Sequence, residues 1–193
     1  MFKVDKGIVP IPKTSDETAA IGLDDLAKRC QEYYGMGIRF AKWRAVLKID
    51  EHCPSDLSIH ENTWGLARYG AICQANGLVP IIEPEILSDG SHSIDFCQKV
   101  FEKVWYQQIK ALALNNVFFE GILLKPSMVT PGSTNEAAKT ISSNEIAWKT
   151  LLALSRTIPP AIPGITVIII SMICLIIFSY SFCLVAKVKK KPL

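Results

Sequence analysis

The sequence predicts an α/β fold built on a parallel sheet, and three observations carry that expectation. Strand-like stretches begin near residues 2, 38, 78, 117 and 164, so most starts are spaced by roughly 40 residues. Between successive strands lies a segment with the 3.6-residue period of an amphipathic helix, and such alternation implies parallel strands joined by crossovers. Charged residues sit within and at the ends of otherwise apolar strand runs. In parallel α/β folds, functional groups collect at the carboxyl ends of the strands.

The first strand is "FKVD", followed by a Gly/Pro-rich stretch read as a loop through Lys13. Leu23, Leu26, Ala27, Cys30 and Tyr34 mark one face of a helix, and "GMG" at residues 35–37 ends it. "IRFAKWRAVLKI" is the second strand. Leu66, Tyr69 and Cys73 share a face of a second helix, stopped at Asn76-Gly77. "LVPIIEPEI" is the third strand. Cys97, Val100, Phe101, Val104 and Trp105 form the clearest helical stripe, which stops at Asn115-Asn116. "VFFEGILLK", residues 117–125, reads as the fourth strand. Ser142 with Glu145 resembles a capping box opening a fourth helix, whose inner face holds Ala147, Thr150, Leu151 and Leu154. "GITVIII" begins a further strand.

Composition narrows the function classes. Four of the lysines behind the net charge of +3 (Lys187, Lys189, Lys190 and Lys191) lie in the last seven residues, so the remainder carries about −1 and offers no nucleic-acid surface. The six cysteines are scattered, with no C-x-x-C and no histidine cluster, which suits reduced thiols better than a disulfide frame or a zinc site. The triplet Glu51-His52-Cys53 holds potential ligands, but adjacent side chains point apart in regular structure. The N-terminus lacks the apolar core of a secretory signal.

The candidate site residues are Lys3 on the first strand, Lys42 and Arg44 on the second, Glu83 and Glu85 on the third, and Lys125 at the end of the fourth. Alternate residues on a strand share a face, which pairs Lys42 with Arg44 and Glu83 with Glu85. In "VFFEGILLKPSMVTPG" the apolar run ends in Lys125, and Pro126 marks the strand end because it cannot donate to a ladder. An ammonium in such surroundings is costly unless it is paired or gives up its proton, and a neutral lysine is a nucleophile for carbonyl carbon. The plainer alternative is that Lys125 reaches out to solvent.

"VFFEGILLKPS" resembles the active-site signature of class I fructose-bisphosphate aldolases, the metal-independent enzymes that work through a lysine imine. "FKVDKG", "FAKWRAVLKI" and "NGLVPIIEPEIL" resemble three further segments of that family, in order and without gaps, over residues 1 to about 165. The resemblance implies part of a (β/α)8 TIM barrel, about strands 3 to 6 with their helices. It implies reversible cleavage of fructose 1,6-bisphosphate to two triose phosphates, with no metal and no organic cofactor, in a cytoplasmic homotetramer. Lys125 would form the imine with the substrate ketone, and Glu83 would be the general acid/base. Glu85 would sit beside Lys125 and Lys42, tuning charge. Lys42 would favour neutral Lys125 and help dehydrate the carbinolamine. Arg44 and Lys3 would hold a phosphate, with Lys42 lining the same substrate site.

The sequence departs from the family at both ends. It starts near the expected third strand, so the first two strands, with the family's catalytic aspartate, are not in it. From about residue 165 the resemblance gives way to "ITVIIISMICLIIFSYSFCLVA". This divides the chain into an aldolase-like part at 1–164, a hydrophobic segment at 165–186 and a Lys-rich tail at 187–193. The 22 uncharged residues of the segment are long enough to cross a bilayer as a helix. That would make the chain membrane-associated, and the alternative function is a catalytically inactive membrane-anchored or binding module. A buried strand running into a core helix, or a product of alternative splicing or of a gene model, are the alternatives.

Overall fold

In the computed structural model, residues 2–166 are described. Strand β1 (Phe2–Lys3) is followed by a hairpin, β2 (Ile8–Pro10) with β3 (Thr18–Ala20). Next come α1 (Leu26–Gly35), β4 (Phe40–Leu47), α2 (Asp56–Ala75), β5 (Val79–Ile86) and α3 (Ile94–Leu114). The described part ends with β6 (Leu123–Leu124), α4 (Ser143–Thr157) and β7 (Gly164–Ile165). The main sheet runs β1-β4-β5-β6-β7 with every neighbouring pair parallel, as the alternating pattern implies.

The helices cover one face of this sheet. Along β4, Ala41, Trp43, Ala45 and Leu47 are buried, whereas Phe40 and Arg44 are exposed and Lys42 and Val46 half-buried. That period of two separates a helix-facing side from an open side. Trp43 stacks on Tyr69 of α2. The Tyr69 hydroxyl donates to the Ala41 carbonyl at 2.7 Å and accepts from the Ile81 N–H at 3.1 Å, fixing β4 against β5 from behind. Phe101, Val104 and Trp105 of α3 and Leu154 of α4 complete the same core. Serines cap three of the helices: Ser55, Ser93 and Ser142 accept from the backbone N–H three residues on, opening α2, α3 and α4.

Three expectations are corrected. The stretch through Lys13 is more than a loop, because Ile8–Pro10 pairs with Thr18–Ala20 in a hairpin. Its turn uses left-handed backbone at Lys13 and Asp16, a conformation those residue types do not advertise. On α1 the buried stripe is Leu26 and Cys30 with Tyr33 packed against it, while Ala27 and Tyr34 face outward. Tyr34 instead lies under the Arg39 guanidinium.

The third correction concerns residues 117–125, of which only Leu123 and Leu124 form strand, after a 3-10 turn at Phe119–Gly121. The cause lies on β5. Ile82 accepts from the Lys125 N–H at 2.8 Å and Ile86 donates to Ser127 Oγ, so even-numbered residues of β5 direct their backbone groups toward β6. On that flank Pro80 and Pro84 have no N–H to offer, and a parallel ladder forms only between them. The predicted hydrophobic segment 165–186 lies, beyond its first two residues, outside the described residues, as does the tail at 187–193. Among the described residues no helix is long and apolar enough to cross a membrane.

Candidate active site

Parallel register brings the candidate residues together. Lys3 aligns with Lys42, Lys42 with Ile81, Arg44 with Glu83, and Ile81 with Leu123. Counting two residues on from Leu123 places Lys125 beside Glu83. Aligned residues of parallel strands point the same way, so Lys3, Lys42, Arg44, Glu83, Glu85 and Lys125 share the open face.

At the centre is Glu83, whose side chain is only 3% exposed. One of its oxygens, Oε1, accepts a hydrogen bond from Lys125 Nζ, and the other, Oε2, makes an ion pair with Lys42 Nζ at 3.0 Å. One buried carboxylate thus serves two ammonium groups, and the three together carry an excess positive charge. Such a buried carboxylate is held in place by its partners, since stripping them would leave an uncompensated charge. Lys125 is itself mostly buried. Its backbone N–H extends the β6 ladder to Ile82, so its position is set by the sheet rather than by the loop that follows.

Glu85 pairs with Arg44. The Glu85 carboxylate, and at longer range Glu83 and Asp5, hold the Arg44 guanidinium charged and raise its pKa above the ordinary value, against the effect of burial. Among the described residues no ion pair joins Glu85 to Lys42 or Lys125, where the resemblance had suggested it would sit. A long guanidinium side chain two residues back reaches it first. Lys3 projects into solvent and its ammonium lies 3.2 Å from Asp5 Oδ1.

Asp5 is the site member that the sequence reading passed over. It belongs to the first strand stretch "FKVD", two residues beyond Lys3, and alternation alone puts it on the same face. Its side chain is 4% exposed. A second missed carboxylate, Glu17, is structural: it accepts from both the N–H and the hydroxyl of Ser55, tying the hairpin to the start of α2.

Behind the carboxyl ends of β5 and β6, two loops are stitched together. Gly132 N–H donates to the His92 carbonyl at 2.9 Å, Ser133 N–H to Ser88 at 2.7 Å and Thr134 N–H to Gly90 at 2.9 Å. Asn135 Nδ2 adds a bond to the Ser91 carbonyl. The segment leaving Lys125 is therefore fixed to the segment leaving Glu85. Among the described residues no group of three or more His, Cys, Asp or Glu side chains is placed to hold a metal ion.

Comparison with known proteins identifies the family. The family model described as fructose-bisphosphate aldolase class-I matches residues 1–171, a few residues into the hydrophobic segment. A fructose-bisphosphate aldolase of Schistosoma mansoni is 56% identical over 165 residues, covering 86% of this chain and 45% of that protein. The cytosolic fructose-bisphosphate aldolase 5 of Arabidopsis thaliana is 57% identical over 164 residues, covering 85% of this chain and 45% of its own length. Among solved structures, the Plasmodium falciparum aldolase, in a ternary complex with TRAP and a small-molecule inhibitor, superposes with a TM-score of 0.84 at 54% identity. That match covers 86% of this chain and 48% of the other. The chain thus spans less than half the length of the curated relatives it matches. With the fold, the register of the charged residues and these similarities in agreement, the chain belongs to the class I fructose-bisphosphate aldolase family.

Proposed function

We propose that this chain carries the imine-forming half of a fructose-bisphosphate aldolase site, acting on the ketone of fructose 1,6-bisphosphate or of glycerone phosphate. The observation that supports it most is Glu83 placed between Lys125 and Lys42 on adjacent strands. Lys125 Nζ attacks the ketone carbon after passing a proton to Glu83 Oε1, its hydrogen-bond partner. Glu83 then returns a proton to the carbinolamine hydroxyl, which leaves as water, and the lysine-bound imine remains. Lys42, held on the other oxygen of the same carboxylate, keeps Glu83 oriented toward Lys125. In the cleavage direction, electrons of the breaking carbon–carbon bond flow into the imine, the aldehyde product departs, and the enamine is protonated and hydrolysed to glycerone phosphate. The family resemblance assigns help with that cleavage to an aspartate on a strand outside this sequence. In this reading Arg44 and Lys3 hold a phosphate of the sugar, as cations on the same open face. A cytosolic location and a homotetramer, as expected of the family, complete the reading.

Borohydride reduction in the presence of glycerone phosphate tests it. We expect covalent mass on the peptide containing Lys125 and on no other lysine, abolished in Lys125→Met. Label spread evenly over surface lysines would overturn the assignment.

A further inference from the structure

We propose that Asp5 is a built-in counter-anion of the phosphate site, holding Lys3 in the free protein and competing with the phosphate of an incoming ligand. The inference rests on the reading above that Lys3 and Arg44 are the phosphate-holding cations, and it deepens that reading by adding the group that opposes them.

Four observations carry it. Asp5 lies on the open face with Lys3, and its Oδ1 is 3.2 Å from the Lys3 ammonium. Oδ1 also accepts from the Gly7 N–H at 3.2 Å, which fixes the carboxylate whether or not Lys3 stays. The two partners differ sharply in exposure, 61% for the Lys3 side chain against 4% for Asp5. The lysine is free to swing and the carboxylate is not. Among the described residues Oδ2 is buried with no hydrogen-bond partner, so the negative charge is incompletely compensated and poorly screened by water.

The local balance of charge follows. Lys3 has Asp5 and Arg44 has Glu85, so each cation already has its own carboxylate before a ligand arrives. A phosphate must displace Lys3 from Asp5 and then lie close to a fixed carboxylate that repels it. Asp5 therefore weakens phosphate binding. This is useful in a site that must release two phosphorylated products, because affinity beyond need slows departure.

A role confined to holding the fold would give the opposite sign. Replacing a structural carboxylate weakens binding, whereas removing a competing anion tightens it. The experiment is a 31P NMR titration of the full chain with inorganic phosphate and, separately, with glycerone phosphate, for the native protein, Asp5→Asn and Asp5→Ser. Both replacements keep an acceptor for the Gly7 N–H. We expect the dissociation constant of each ligand to fall about tenfold in both variants, and to depend more steeply on salt than in the native chain. Constants that stay the same or rise, or no binding by any variant, would overturn the proposal. Loss of fold in both variants, read by circular dichroism, would overturn it as well, because Asp5 would then be a structural group. The imine reading is judged separately: tighter phosphate binding in a chain that borohydride does not label would leave Asp5 standing and remove Lys125.

Discussion

Glu83 shows how much of the site can be read residue by residue and where that reading stops. Strand alternation puts Lys42 with Arg44 and Glu83 with Glu85 on one face, and the register bears this out. Pairing on that face depends on side-chain reach, which no periodicity encodes, so Arg44 rather than a lysine takes Glu85. Asp5 was equally legible by alternation, but a lone aspartate beside a lysine in a short strand draws no notice until its burial is known. His92 is a residue whose importance appears only in the folded chain. Both ring nitrogens are buried without a hydrogen-bond partner among the described residues, and burial lowers its pKa from 6.5. Because the folded-state value is the lower one, the unfolded chain takes up the proton first as pH falls. Stability then declines as pH drops through 6.5, and this contribution stops declining below the folded value. We expect melting temperatures measured between pH 7.5 and 5.5 to fall less for His92→Gln than for the native chain. Parallel declines would show that His92 titrates alike in both states.

At the scale of elements, the helices were legible because their stripes are long, while short pieces depended on partners. β6 is short because Pro80 and Pro84 remove donors from the flank of β5 that faces it, a constraint written some 40 residues away from the segment it limits. The β2–β3 hairpin is set by two left-handed turn residues that are not glycine, so its turn carried no glycine signal. The loops behind Glu85 and Lys125 meet through backbone contacts, and glycine permits the closest of them. A Cβ on Gly132 would stand 2.2 Å from the Gly90 carbonyl oxygen, a backbone atom that cannot turn aside. Gly132→Ala is therefore expected to cost about 1–3 kcal/mol, as overpacking does. It should also slow borohydride trapping at Lys125, since the displaced loop leaves directly from that residue. Gly65, inside α2 with nothing within 4 Å of its would-be Cβ, is the control. Gly65→Ala should gain roughly 0.5–1 kcal/mol from helix propensity. Denaturant melts of both variants measure the difference, and equal effects would show that the loop contact adjusts freely.

The described residues as a whole form a parallel sheet with helices on one side, and the candidate site residues lie on the other. β4, β5 and β6 are adjacent, so the three groups proposed to make the imine (Lys42, Glu83 and Lys125) are held by a continuous piece of sheet and by the helices behind it. Carbon–carbon cleavage asks for more, since it also needs a base for the departing alkoxide and firm holding of both phosphates. The two cations proposed to hold a phosphate, Lys3 and Arg44, are each engaged by a carboxylate. Groups that act as a unit in catalysis are strongly non-additive, so a part of the constellation does not yield a proportionate part of the rate. The 193-residue polypeptide expressed by itself should therefore separate two steps that a complete relative performs together. We expect borohydride to trap glycerone phosphate on Lys125. In the same preparation, steady-state cleavage of fructose 1,6-bisphosphate should run at least about 10³-fold below that of a full-length family member assayed alongside. Turnover near that of the full-length enzyme would mean that the strands described here, with residues 167–193, supply every group that cleavage requires. Absence of both trapping and cleavage, in a chain shown to be folded, would mean that Glu83 and Lys42 alone do not ready Lys125 for attack.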